Sequence, residues 1–130
     1  MKTINPNQGL STLLNHVGEG ENPLHAHVMP IYQTSTFSFP DVETGAAIFK
    51  GEASGYIYTR LSNPNLDQLA HKIAVLEGLD LLRREPEKPD MEIVGGMVFS
   101  SGMAAVSSAV LARTHAGQTI IAQESLYGTT

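Results

Sequence analysis

The chain has 130 residues, no cysteine and a net charge of −5, which is enough for one domain with a modest core. With 42% hydrophobic and 16% charged residues it reads as globular and not disordered. The acidic balance argues against a nucleic-acid partner, and the missing thiols exclude disulfides, cysteine metal ligands and a cysteine nucleophile. No run approaches the roughly 18 apolar residues of a membrane span, and the N-terminus carries no apolar signal region, so a soluble cytoplasmic protein is expected.

Residues 1–9 are polar, with Pro and Gly, and are expected to form a mobile arm. Leu10, Leu13 and Leu14 fall at helical spacing, enough for one or two turns. Gly18 to Pro23 is a loop by its breakers. His25-Ala26-His27 places two imidazoles on one side of an extended segment. A zinc site needs three or four ligands, however, and His16, His71 and His115 are scattered, so an ordinary histidine pair is expected. Val28 to Phe39 is rich in β-branched and aromatic residues. Pro30 and Pro40 bracket it and argue against a central strand. Asp41 then caps a short helix with Val42, Ala46 and Phe49 on one face, ended by Gly51. Residues 51–55 form a hinge.

The stretch Tyr56-Ile57-Tyr58-Thr59-Arg60 is the most concentrated chemistry in the chain. On extended backbone Tyr56, Tyr58 and Arg60 share a face. Two phenols and a forked guanidinium make a receptor for phosphate or carboxylate; an edge strand with an exposed aromatic face fits the same residues. Asn63-Pro64 opens a helix as cap and first-turn proline. Leu66, Leu69, Ile73 and Leu76 then mark its core face, and Gly78 stands at the C′ position. Seven of the ten residues in 83–92 are charged, which predicts a solvated loop.

Ile93 to Phe99 reads as a buried strand and Ser100-Ser101-Gly102 as a tight turn. Residues 104–112, with Met103, Val106 and Val110, read as an alanine-rich helix that Gly117 ends. Residues 119–122 read as a second strand. Strand, helix, strand is a βαβ unit, which implies a parallel sheet and the α/β class. The turn at Ser101, Gly102 and Met103 lets backbone approach a ligand, and the helix N-terminus offers free N–H groups to an anion; a plain strand–helix turn capped by Ser fits equally. Gly95, Gly96 and Gly102 do not make a dinucleotide fingerprint, and no P-loop is present. Tyr127 follows the second strand, where ligands of open α/β sheets sit, and its ring suits stacking on a flat heterocycle.

Taken in order, Pro30-Ile31-Tyr32-Gln33-Thr34-Ser35-Thr36-Phe37, Tyr58-Thr59-Arg60 with Asn63-Pro64, Leu76-Glu77-Gly78, Ser101-Gly102-Met103-Ala104-Ala105 and Leu126-Tyr127-Gly128 are highly specific. Together they resemble the N-terminal part of the Cys/Met-metabolism (trans-sulfuration) family of pyridoxal 5'-phosphate (PLP) enzymes. That family includes cystathionine γ-synthase and γ-lyase, methionine γ-lyase and O-acetylhomoserine sulfhydrylase. The resemblance implies the start of an aspartate aminotransferase-like, fold type I parallel sheet. Residues 1–60 would be an arm with short helices reaching a neighbouring subunit, and residues 61–130 the first part of the PLP-binding α/β domain. It implies that Tyr58 and Arg60 reach the cofactor phosphate of the neighbouring subunit. Gly102 and Met103 would give backbone donors to the phosphate of their own subunit, and Tyr127 would stack on the pyridine and assist proton transfer. The implied activity is γ- or β-elimination or replacement on a sulfur amino acid or activated homoserine, in a homodimer or homotetramer with shared sites.

The sequence departs from the family in three ways. Family members are several times longer, and none of Lys2, Lys50, Lys72 and Lys88 stands in the family's Schiff-base lysine motif, so the chain alone is expected to be an inactive N-terminal piece. Residues 83–92 are longer than the usual connection. Thr129 stands where methionine γ-lyases carry cysteine, which ranks that activity lower. A non-catalytic module that binds phosphate or a partner is the alternative. So is another βαβ enzyme that uses the 100–103 turn, although that reading leaves Tyr58 and Arg60 unexplained.

Overall fold

A computed structural model describes residues 4–19, 22, 24–128 and 130. The chain divides into two compact units, Met1–Met97 and Val98–Thr130. Among the described residues of the first unit there are five helices: α1 Leu10–His16, α2 Val42–Lys50, α3 Pro64–Glu77, α4 Leu79–Arg84 and α5 Asp90–Ile93. The second unit carries α6, Gly102–Arg113.

The helix starts follow from side-chain caps. Asp41 accepts from the Thr44 N–H at 2.6 Å and starts α2; hydrogen bonding by Thr44, its side chain first and its N–H second, holds the Asp41 carboxyl below the ordinary range. Gly51 closes the same helix in the left-handed region at φ 74°, a conformation that disfavours any residue with a Cβ. Asn63 caps α3 with Pro64 in its first turn, and the Ser101 hydroxyl caps α6 by accepting from the Ala104 N–H at 3.1 Å. These four positions are as expected. Gly78 differs, because its φ of −94° is not left-handed and the chain passes through it directly into α4.

The core of the first unit is small. Leu13, Val17, Ala74, Val75, Leu82 and Val94 are buried, with Ile4, Leu76, Leu79 and Ile93 packed against them. Two elements therefore differ from the sequence reading. The buried face of α3 is Pro64, His71, Ala74 and Val75, while Leu66, Leu69 and Ile73 stand 41–50% exposed. Burial follows the face that meets α1 and α4, and an apolar stripe of this kind stays exposed when no element covers it. Likewise Val42 and Phe49 of α2 are exposed, and the buried residue there is Gly45, against the Phe39 ring.

The charged stretch is not a solvated loop throughout. Residues 83 and 84 finish α4, and Asp90, 7% exposed, begins α5. The other residues of 83–92 are exposed, and Lys88 pairs with Glu85 at the tip; this pairing raises the Lys88 pKa. Residues 4–6 are docked and not free: Pro6 is buried, and its carbonyl accepts from Arg83 Nε at 3.2 Å. Residues 1–3, and positions 20, 21 and 23 of the 18–23 loop, lie outside the described residues. Nearby, Asn22 accepts from the Leu24 and Ala26 N–H groups, and His25 turns into the left-handed region at φ 52°. His25 and His27 therefore do not lie on one extended run. Among the described residues no group of three or more metal-binding side chains gathers.

The expected strands 93–99 and 119–122 are not formed: the described residues contain no strand ladder, only an isolated antiparallel bridge between Thr36 and Tyr58. Ile93 instead ends α5, and Val94 has extended backbone without a paired neighbour. Parallel strands hold only in a sheet covered on both faces, whereas Ile121 is 94% exposed. Gly96 runs hard against α3, where a Cβ would stand 2.5 Å from the Ala70 carbonyl oxygen. In the second unit α6 stops at Arg113, with Thr114 as its C-cap. Gly117 (φ 92°) lies beyond it in the following turn. No described helix is long and apolar enough to cross a membrane.

Candidate functional site

The Tyr58–Arg60 stretch sits where two extended segments meet. Phe37 N–H donates to the Ile57 carbonyl at 3.1 Å and Thr59 N–H to the Ser35 carbonyl at 2.9 Å. The chain then turns, with the Leu61 and Ser62 N–H groups both returning to the Tyr58 carbonyl. This turn ends the two-residue alternation at Tyr58. Tyr56 lines a different cleft from Tyr58 and Arg60, against the expectation of one shared face.

Tyr58 and Arg60 line an open cleft of about 660 Å³ with Tyr32, Gln33, Thr34, Ser35 and Thr59. The Arg60 guanidinium lies 5.0 Å from the Tyr58 ring centroid, a cation–π distance. Among the described residues no carboxylate pairs with it within 4.0 Å. A guanidinium held over a ring and without an anion is a receptor in wait for one. Tyr56 instead packs on Phe37, ring centroids 5.3 Å apart, and lines a separate cleft with Ile48, Leu61 and Asp67. Burial, and secondarily the Asp67 carboxylate, push its phenol up to about 12.

In the second unit the first helical residues of α6 are Gly102 and Met103. Their N–H groups belong to the first turn, which has no intrahelical acceptor. A Cβ at Gly102 would meet nothing within 4 Å, so its face is open to a ligand. Tyr127 is 81% exposed and Thr129 lies outside the described residues. The phenol and guanidinium of the first unit are donors that suit a phosphate group, and so, taken separately, are the first-turn backbone N–H groups of the second. Lys50 is exposed at the end of α2, Lys72 lies along α3 and Lys88 is paired with Glu85.

One arrangement had no signal in the sequence. His71 Nε2 of α3 stands 2.9 Å from Asp90 Oδ2 of α5, both side chains nearly buried. The approach is close but not aligned as a hydrogen bond, and His71 Nδ1 has no partner either. The two residues are 19 positions apart and share no motif, so only packing brings them together.

Comparison with known proteins gives the same direction. A family model described as Cys/Met metabolism PLP-dependent enzyme matches residues 11–130. The L-methionine gamma-lyase of Porphyromonas gingivalis is 42% identical over 122 residues, covering 94% of this chain and 27% of that one. The homocysteine/cysteine synthase of Kluyveromyces lactis is 37% identical, covering 92% and 24%. A solved structure from Campylobacter jejuni, named as an O-acetylhomoserine (thiol)-lyase and carrying N'-pyridoxyl-lysine-5'-monophosphate, matches with a TM-score of 0.51 and 35% identity. That match covers 55% of this chain and 18% of the other. The chain thus spans about a quarter of the length of the curated relatives it matches. The resemblance drawn from the ordered motifs is borne out: the chain belongs to the Cys/Met-metabolism family of PLP-dependent enzymes.

Proposed function

We propose that this chain is part of a PLP-dependent enzyme of sulfur amino-acid metabolism. The reaction class is β- or γ-elimination or replacement on a sulfur amino acid or an activated homoserine, within the fold type I architecture. Bound PLP would supply the electron sink for carbanion chemistry. In this reading Tyr58 and Arg60 hold the phosphate of a cofactor in a neighbouring subunit of a homo-oligomer, with residues 1–60 as the part that reaches across. The Gly102 and Met103 N–H groups donate to the phosphate of their own subunit. Tyr127 stacks on the pyridine and moves a proton at its phenol oxygen. The setting is cytoplasmic.

The observation that carries the proposal is the open cleft where the Arg60 guanidinium lies over Tyr58 with no carboxylate partner among the described residues. A phosphate near charge −2 gains charge-assisted bonds there, each worth about 1.5–3 kcal/mol net. Arg60→Ala in the intact gene product is therefore expected to weaken PLP binding roughly ten- to hundredfold, read by absorbance titration. Unchanged affinity would remove the phosphate role. Borohydride reduction with PLP, followed by peptide mass analysis, separates this reading from a non-catalytic phosphate-binding module: a specifically labelled lysine supports the enzyme, and no label supports the module.

A further inference from the structure

Two asparagines at the start of α3 stand behind the Tyr58–Arg60 cleft without lining it. The Asn65 side chain takes both sides of one backbone stretch: its Oδ1 accepts from the Tyr32 N–H at 2.7 Å and its Nδ2 donates to the Pro30 carbonyl at 2.8 Å. Asn63, only 4% exposed, donates from Nδ2 to the Tyr32 carbonyl and to Thr59 Oγ1, each at 3.1 Å. Thr59 in turn donates from its hydroxyl to the Thr34 carbonyl at 2.5 Å. The backbone of Tyr32 is thus satisfied on both its N–H and its C=O by side-chain amides. These amides stand in for the backbone partners of a neighbouring strand along residues 30–32.

The bonds have one geometric consequence. One wall of the cleft is 32–35 and the other is 58–60. The Thr59 N–H bond to the Ser35 carbonyl joins the two walls at one end, and the two asparagines with the Thr59 hydroxyl extend that polar link to Tyr32 and Thr34. Backbone groups left unpaired in a part-buried stretch favour rearrangement, so losing an amide would shift Tyr32 and widen the cleft without touching the ligand. We infer that Asn63 and Asn65 are positioning residues: an amide clamp that fixes the anion-binding geometry of Tyr58 and Arg60. The inference rests on the phosphate reading of those two residues. Asn65 is the cleaner probe, because Asn63 also caps α3 by accepting from the Asn65 N–H at 3.0 Å.

The test uses the intact gene product and two probes, PLP and phosphate-free pyridoxal, titrated by visible absorbance. Asn65→Ala is expected to weaken PLP binding roughly tenfold for two lost neutral bonds while leaving pyridoxal binding unchanged. In a background carrying both Tyr58→Phe and Arg60→Ala it adds no further loss, because the clamp acts through Arg60 and Tyr58. Asn65→Asp keeps the acceptor for Tyr32 N–H and is expected to fall between wild type and Asn65→Ala; it also serves if the alanine variant does not fold. Equal losses for PLP and pyridoxal would make Asn65 merely structural and overturn the inference, as would no loss for either. If Arg60→Ala itself leaves the PLP-to-pyridoxal ratio unchanged, the phosphate reading falls and the clamp falls with it, whatever Asn65→Ala does.

Discussion

Replacing Asp90 by alanine takes away the carboxylate that stands 2.9 Å from His71 Nε2. The His71 side chain is 3% exposed and the Asp90 side chain 10%, so neither group has ready water to replace the other. A hydrogen bond to a charged group contributes about 1.5–3 kcal/mol. The 2.9 Å approach is not aligned as a hydrogen bond, so its contribution falls below that range, at about 1 kcal/mol. The alanine variant also leaves Nε2 as a second orphaned ring nitrogen beside Nδ1, adding a desolvation cost. The expected loss is about 2 kcal/mol, or on the order of 1 M in the urea midpoint for a slope of 1–3 kcal/mol/M. A double-mutant cycle with His71→Ala should return a coupling of at least about 1 kcal/mol. Replacing His71 by leucine together with Asp90 by valine should come out near neutral, because apolar side chains nearer in volume remove the buried polar groups together. Amide exchange over 86–94 should quicken in Asp90→Ala, since α5 loses its polar anchor to α3. A variant within about 0.5 kcal/mol of the parent, with additive singles, would refute the claim that this pair fastens α5.

Two further outcomes follow from the packing and the titration. Leu13, 1% exposed, is one of the largest side chains in a small core, so Leu13→Ala should cost about 2–3 kcal/mol by loss of burial and the cavity left behind, measured by urea unfolding. The Tyr56 phenol, raised to about 12 by burial and then by Asp67, keeps its proton in the folded state after the unfolded phenol, at about 10, has lost it. The folded state then binds more protons, so stability falls as pH rises between those values. Tyr56→Phe should flatten that limb and delete the last step of a spectrophotometric phenol titration; an unchanged titration would refute it.

The candidate site was legible in part. Tyr58 and Arg60 could be named because a phenol and a guanidinium so close together, followed by a cap and a first-turn proline, form a local pattern. Their grouping with Tyr56 failed, because the Tyr56 ring packs on Phe37, a partner distant in the chain, and lines a different cleft. Asn63 was read as a cap, and it is one. That it also pins Tyr32 was not readable, because that partner lies 31 residues away. Gly96 carried no sequence signal for its role, since its need to be small comes from the Ala70 carbonyl across from it.

By itself the sequence determined what depends on neighbours a few positions apart. Such are the caps at Asp41, Asn63 and Ser101, the left-handed stop at Gly51, the helical stretches of α1, α2, α3 and α6, and the ordered motifs that mark the family. Tertiary structure alone decided which face each helix buries. It chose Ala74 and Val75 over Leu66 and Ile73, joined His71 to Asp90, docked residues 4–6 on α4 and left 119–122 without a ladder. The physical reason is that a cap is satisfied by its own chain within one turn, whereas an apolar stripe or an extended segment is satisfied only by whatever packs or pairs against it.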